Sequence, residues 1–412
     1  MSSHATAATG KEGHGAGVLD FPGARFSFVN ELHVVPESTP TPIPCYRVLD
    51  ELGQLIPGAK YTQVSEELAV AMYRKMAVLQ SMDLVFYDAQ RQGRFSFYMT
   101  TAGEEAINIA SGAALSDLDT IFAQYREPGV LLWRGFSMLQ FAHQCFATSG
   151  DLGKGRQMPV HYGSKEHRFH TISSPLATQI PHAVGAAYHV KMSPEDACVV
   201  TYFGEGAASE GDFHGAINFA ATLEVPVIFV CRNNGWAIST PAREQYRGDG
   251  IAGRGQAYGV RSLRVDGNDT LAMYSAMKAA REMAVTEERP ILLEAMTYRT
   301  GHHSTSDDSS RYRGAAEIQH WKLQRDPVAR FRRWLQGQGW WDDAREEELR
   351  KSARAEVIAA LDTAEATDKA PLRDLFTDVY DAAPPNLVEQ ERQVRAHVAK
   401  HRADYPDNVP LD

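Results

Sequence analysis

Residues 197–234 read ACVVTYFGEGAASEGDFHGAINFAATLEVPVIFVCRNN, and this stretch decides the fold. An apolar run, Ala197–Phe203, ends in Gly204-Glu205-Gly206; a helical pattern follows, and a second apolar run, Val225–Val230, delivers Asn233-Asn234. The pattern predicts a strand–helix–strand unit with an acid at the tip of one strand and a carboxamide at the tip of the next. Ligands of open parallel sheets bind beyond the carboxyl ends of the strands, so both side chains reach one crevice. An oxygen ligand from each suits Mg²⁺, which takes one or two protein groups plus substrate phosphates. The rival reading is a dinucleotide fingerprint, but Gly204, Gly206 and Gly211 leave one gap too long for it. The second strand also ends without the ribose-binding acid that such a site requires.

Composition narrows the partners. The chain has 412 residues and a net charge of −10, with no dense Lys/Arg cluster, which argues against nucleic acid. Cys45, Cys145, Cys198 and Cys231 show no CxxC pairing, and Cys198 and Cys231 fall within strand patterns as core thiols. Asn218 and Glu224 interrupt the longest apolar stretches, so no membrane span is expected. Residues 1–18 are small and polar, without an Arg-rich amphipathic helix or an apolar signal core. The expectation is a reducing, cytoplasmic compartment and a bacterial source.

Working outward, residues 1–60 read as an extended arm, either disordered over its first 15 residues or wrapped on a partner subunit. Helices are expected over 65–82, 103–115, 174–192 and 271–287, and strands over 120–123, 262–265 and 291–297. Met273, Met277, Ala280 and Ala284 share one helical face as core. Alternating strands and helices predict an α/β fold with a doubly wound, mostly parallel sheet over 61–325. Residues 326–412 read as a helical C-terminal region: Asp326-Pro327 starts a helix, and Leu349, Ala353, Val357 and Leu361 line another over 342–366. After the strand over 291–297, 301–314 (GHHSTSDDSSRYRG) has no apolar periodicity and should hang over the same sheet edge as the Gly-Glu-Gly turn, its order depending on ligands.

The Gly-Glu-Gly to Asn-Asn spacing resembles the thiamine diphosphate motif, with Glu where Asp is usual. Together with RQGRFSFYMTTAGEEA, QYREPGVLLWRG, ISSPLATQIPHAVGAAYH, EQYRGDGIAGRG and TYRTGHHSTSDDSSRYR, the chain resembles the α subunits of branched-chain 2-oxo acid dehydrogenases over roughly residues 60–385. The resemblance implies a thiamine diphosphate-dependent oxidative decarboxylase of 2-oxo acids from Val, Leu and Ile. It would work as an α₂β₂ heterotetramer that passes the acyl group to a lipoyl-bearing acyltransferase. A pyruvate- or acetoin-type dehydrogenase and a non-catalytic paralogue are the alternatives.

The same resemblance assigns Mg²⁺ to Glu205, Asn234 and the carbonyl of Trp236, and the diphosphate to Arg126 and Arg232. Gln124, Tyr125, Gly204, Gly206, Ala207 and Ile238 complete the cofactor cleft. Ser174 and Leu176 meet the aminopyrimidine, and Ser173, Pro175, Thr178 and Gln179 form a K⁺ site, although the stretch also reads as a Ser-capped helix start. His303, Tyr125 and Ser174 are the candidate catalytic residues, with His303 over the cofactor and His302 structural. Of the nearby acids, Glu104, Glu105 and Glu210 lack the context of the cofactor-activating glutamate, which the resemblance gives to the β subunit.

Overall fold

Both apolar runs of the opening stretch are strands, with a helix between them. The computed structural model describes residues 18–21, 24–27, 29–35 and 41–411. In chain order the strands are β1 (Val18–Phe21), β2 (Ala24–Ser27), β3 (Cys45–Tyr46), β4 (Thr120–Phe122), β5 (Phe169–His170), β6 (Val199–Gly204), β7 (Val227–Asn233), β8 (Trp236–Ala237), β9 (Thr240–Pro241), β10 (Arg261–Asp266) and β11 (Ile291–Met296). The helices are α1 (Glu66–Arg91), α2 (Glu105–Ala113), α3 (Pro128–Trp133), α4 (Met138–Phe146), α5 (Gln179–Lys191), α6 (Gly211–Leu223), α7 (Ala242–Gln245), α8 (Ala252–Ala257), α9 (Thr270–Glu287), α10 (Ala315–Gln324), α11 (Pro327–Gly337), α12 (Asp343–Glu365) and α13 (Pro385–Lys400).

Seven strands form one sheet in the order β3-β10-β11-β7-β6-β4-β5, every pairing parallel. The sheet separates two apolar layers, and the period of two along each strand sorts residues between them. Val200, Tyr202, Ile228 and Val230 face one layer, with side chains of α1, α2, α9, α11 and α12. Val199, Phe203, Val227, Phe229 and Cys231 face the other, with α5 and α6. Burial on both faces explains why β6 and β7 read as continuous apolar runs rather than alternating ones.

The connections fix where a ligand goes. From β4 the chain moves outward to β5, whereas from β6 it moves the opposite way to β7, and β4 and β6 are neighbours. That reversal is a topological switch point, and the crevice at the carboxyl ends of β4 and β6 is the predicted binding site of such a sheet.

Some expected boundaries shift. The helix expected over 174–192 starts at Gln179, because Ala177 sits at φ +70°, a left-handed conformation that no helix continues through. The arm expected over 1–60 is shorter. The chain divides after Thr41, and within the unit that begins at Pro42, Cys45 and Tyr46 pair with Arg264 and Val265. Buried Asp269 holds the backbone N–H groups of Val48 and Leu49 at 2.7 and 2.6 Å. The expectation for the first 15 residues lies outside the described residues. Within the unit 1–41, β1 and β2 pair antiparallel.

Candidate functional site

At the switch point the turn after β4 supplies Gln124, Tyr125 and Arg126, and the turn after β6 supplies Gly204–Ala207. The end of β7 supplies Arg232, Asn234 and Trp236, and the segment after β11 supplies Arg299 and His303. Together with Leu176 and Ile238 they line a cavity of about 200 Å³. Thirteen of the expected site residues therefore meet here: Gln124, Tyr125, Arg126, Leu176, Gly204, Glu205, Gly206, Ala207, Arg232, Asn234, Trp236, Ile238 and His303. Ser173, Ser174, Pro175, Thr178 and Gln179 do not line it. The Ser174 hydroxyl instead lies 2.7 Å from His161 Nε2. Thr178 donates to the Pro175 carbonyl at 3.1 Å, and the Gln179 amide donates to the Tyr202 carbonyl at 2.9 Å.

Close packing explains Gly206, and backbone conformation explains Gly235. A Cβ on Gly206 would lie 2.6 Å from the Ala237 methyl, so a side chain there would collide with β8. Gly235, at φ +82°, turns the chain sharply enough for Asn234 Oδ1 to accept from the Trp236 N–H at 3.2 Å. Ile238 has φ +54°, a conformation β-branched residues rarely adopt, and its carbonyl accepts from Arg299 Nη2 at 2.6 Å.

Glu205 is the electrostatic anomaly. Its Oε2 accepts from the Asn234 N–H at 3.3 Å, while its Oε1 is buried with no hydrogen-bond partner among the described residues. Burial pushes its carboxyl up to about 7; Glu104 adds to the rise and Arg232 opposes it. A buried carboxylate oxygen without a donor calls for an explanation such as an ion. Carboxylate, amide oxygen and backbone carbonyl, the donors of Glu205, Asn234 and Trp236, are the hard oxygens that Mg²⁺ prefers. These residues fit a bound divalent cation.

Cations surround the rest of the cavity. Arg126 donates to the Thr100 carbonyl at 2.6 Å and the His303 carbonyl at 2.7 Å, and its Nη2 lies 3.2 Å from His303 Nδ1. A guanidinium only donates, so Nδ1 accepts and the imidazole proton is on Nε2. Burial, reinforced by Arg126 and Arg299, lowers the His303 pKa to about 3, and the ring is neutral near pH 7. The Tyr125 ring meets it edge-on, centroids 6.2 Å apart. His302 turns elsewhere and accepts from the Ser309 N–H through Nδ1 at 3.0 Å.

Arg232 is fully buried and ion-paired twice, to Glu104 at 2.7 Å and to Glu127. Burial opposes its charge, but Glu127 and Glu104 outweigh that and raise its pKa. The sequence gives Glu104 no cofactor-activating role and does not single out Glu127 or Arg299. Arg299 had a legible signal, being a cation just past a predicted strand. The two carboxylates had none.

The loop over 301–314 is held by polar groups. Polar anchors replace the missing apolar ones: the Thr305 N–H donates to the Tyr98 carbonyl at 3.0 Å, and the Tyr98 N–H donates to Thr305 Oγ1 at 3.1 Å. Arg313 donates to the carbonyls of Arg299 and Gly301 and packs over Trp236, Tyr298 and Tyr312. Arg313 is thus buried, while Arg311 is exposed. Of the two arginines, Arg311 is the one open to a protease.

The family described as dehydrogenase E1 component matches residues 73–373. The chain is 59% identical over 394 residues to the 2-oxoisovalerate dehydrogenase subunit alpha 2 of Arabidopsis thaliana, covering 96% of this chain and 84% of that one. It is 52% identical over 392 residues to the human 2-oxoisovalerate dehydrogenase subunit alpha, covering 95% and 87%. The Dictyostelium discoideum subunit alpha is likewise 52% identical over 388 residues, covering 94% and 87%. All three are named as mitochondrial, which overturns the cytoplasmic expectation. That expectation rested on the composition of residues 1–18, which does not decide a compartment.

Proposed function

The chain belongs to the dehydrogenase E1 component family, as an α subunit of branched-chain 2-oxo acid dehydrogenase, and from that premise we propose that the switch-point cavity is the metal-and-diphosphate half of its active site. The family implies thiamine diphosphate, and an α subunit implies a β partner. The observation that carries the proposal is the partnerless Oε1 of Glu205 beside Asn234 and Trp236. Glu205, Asn234 and the Trp236 carbonyl would hold Mg²⁺, and Arg126 and Arg232 would bind the diphosphate through charge-assisted hydrogen bonds. Thiamine diphosphate, when bound, supplies a nucleophilic carbon and an electron sink for decarboxylation.

The remaining work falls to this chain's side chains. Neutral His303 carries its proton on Nε2, ready to donate to developing charge, while Arg126 fixes the other face of the ring. The Tyr125 hydroxyl bounds the substrate pocket, Gln124 lies beside it, and Leu176 would pack against the aminopyrimidine, while the Ser174 hydroxyl, turned to His161, would act only through that imidazole. Gly204, Gly206 and Ala207 would let the backbone come close to a bound diphosphate, and Ile238 would close the rim. Ser173, Pro175, Thr178 and Gln179 would hold K⁺ and so brace the start of α5. The β subunit would bring the glutamate that activates the aminopyrimidine, in an α₂β₂ heterotetramer that delivers acyl groups to a lipoyl-bearing acyltransferase.

In the assembled enzyme, 2-oxoisovalerate should be preferred over pyruvate by roughly tenfold in kcat/KM, since each methylene in an apolar pocket is worth about 1–3 kcal/mol. Equal values would favour a pyruvate-type activity. For the site, Glu205→Ala should weaken Mg²⁺ and thiamine diphosphate together in calorimetric titration. Unchanged affinity for both would remove Glu205 from the metal.

A further inference from the structure

We propose that Glu104 is a positioning residue that orients Asn234 and Arg232 at once, and so couples the metal side of the cavity to the diphosphate side. The inference rests on the reading of Asn234 and Glu205 as metal ligands.

Glu104 is fully buried. Its Oε1 accepts from Asn234 Nδ2 at 2.6 Å and its Oε2 accepts from Arg232 Nη1 at 2.7 Å. A carboxylate only accepts, which decides the orientation of the Asn234 amide: Nδ2 points at Glu104, and Oδ1 is left for the Trp236 N–H and a cation. With the opposite amide orientation, an NH₂ group would face the metal and Oδ1 would face a carboxylate. The second oxygen of Glu104 meanwhile fixes one edge of the Arg232 guanidinium, while Glu127 takes the Nε side. One side chain therefore aligns two cavity residues that lie on either side of Asn233 at the end of β7.

The local backbone holds Glu104 in place. It precedes the first turn of α2, its N–H donates to the Thr101 carbonyl at 2.7 Å, and its carbonyl accepts from both the N–H and the Nδ2 of Asn108 at 3.1 Å. Gly103 before it sits at φ +96°, and a Cβ there would lie 2.2 Å from the Tyr298 carbonyl oxygen. The segment is thus pinned against the strand-end loop that also carries Arg299.

Replacing Glu104 by Gln keeps the shape but breaks the logic. The Gln amide either accepts from Asn234 and turns its NH₂ toward Arg232, or does the reverse, so one contact is lost in either orientation. Arg232 keeps Glu127, which removes the risk of an unpaired buried cation. The reciprocal exchange, E104Q with N234D, restores both contacts: Gln Oε1 accepts from Arg232, and Gln Nε2 donates to the new carboxylate.

The experiment is calorimetric titration of Mg²⁺ and thiamine diphosphate into the assembled α and β subunits. Glu104→Gln should raise the cofactor Kd by at least roughly tenfold, the lower end of what losing a residue that orients a metal ligand costs. Its KM for 2-oxoisovalerate at saturating cofactor should stay within about twofold of wild type, since binding of substrate to the loaded site does not involve Glu104. The double variant should recover most of the lost affinity and bind better than either single variant. Wild-type cofactor affinity in Glu104→Gln, or a double variant no better than the weaker single, overturns the inference. Should Glu104→Gln fail to assemble, the double variant decides alone, and its failure to assemble or bind counts against the proposal. Glu205→Ala separates the two levels. If it binds metal as wild type does, the site reading falls; if it loses the metal while Glu104→Gln keeps it, only the role of Glu104 falls.

Discussion

Two buried arginines line the same cavity, and the protein treats them oppositely. Arg232 is clasped by Glu104 and Glu127, and its charge is neutralised in place. Arg299 has no carboxylate partner among the described residues: it donates to the carbonyls of Trp236 and Ile238 and to the Tyr312 hydroxyl, and its Nε has no partner. Burial, aided by Arg126 and Arg313, lowers its pKa to about 10. A buried charge held only by dipoles is costly unless an anion arrives. The difference separates a guanidinium whose charge is balanced before any ligand arrives from one whose charge is stored for a ligand.

Mutation at the two arginines should break the comparison if it is wrong. The largest effect is expected from Arg232→Met, which leaves Glu104 and Glu127 buried without their cation. That should cost about 3–5 kcal/mol, read as a fall in the thermal unfolding midpoint of the cofactor-free complex. A midpoint at the wild-type value would mean that the carboxylates simply take up protons. Arg299→Met should do the reverse: the cofactor-free midpoint should hold or rise, while affinity for thiamine diphosphate falls by tenfold or more, about 1.4 kcal/mol or greater. Loss of stability without loss of cofactor affinity would make Arg299 a structural residue with no stored charge.

A smaller effect should appear in the polar loop. Trypsin should cut the cofactor-free complex at Arg311 and spare Arg313, whose guanidinium is enclosed by three aromatic rings. Equal cutting at both would show that the loop's polar anchors are not holding.

The smallest effect concerns pH. His303 has a depressed pKa, so its contribution to stability is complete above about 6.5 and is lost as pH falls toward 3. Between pH 6.5 and 5 the cofactor-free His303→Asn complex should therefore lose less of its unfolding midpoint than wild type. Arg126, Arg299 and Asp307 are the charges that act on this ring, and identical acid sensitivity of the two proteins would mean that the imidazole titrates normally.

The contrast between the arginines also shows what the sequence could and could not tell. The β6–α6–β7 unit was legible because strands buried on both faces spell continuous apolar runs, and glycines and asparagines mark where they stop. Glu205 and Asn234 were legible because a parallel sheet sends its strand ends to one crevice. Arg232 was read as a diphosphate ligand, but its ion pairs were not visible. Glu104 lies 128 residues away from it, in a turn whose position follows only from packing. Ser174 was placed with the cavity residues because it shares a segment with Leu176, whereas its hydroxyl points to His161. The strands β3, β5, β8 and β9 have two residues each, too few for any period to register.

The edge strand β3 imposes a timetable. Its partners lie far along the chain in β10, and the Asp269 carboxylate that holds the next turn comes 220 residues after Leu49. At about 5–20 residues per second of synthesis, roughly 10–45 s separate the making of Leu49 from the making of its anchor. During that interval the segment around β3 has nothing to pair with, and the β10 edge it will cover does not yet exist. The first strand of the main sheet to leave the ribosome is thus among the last to be secured, and a nascent chain stalled before Asp269 would carry that segment unanchored.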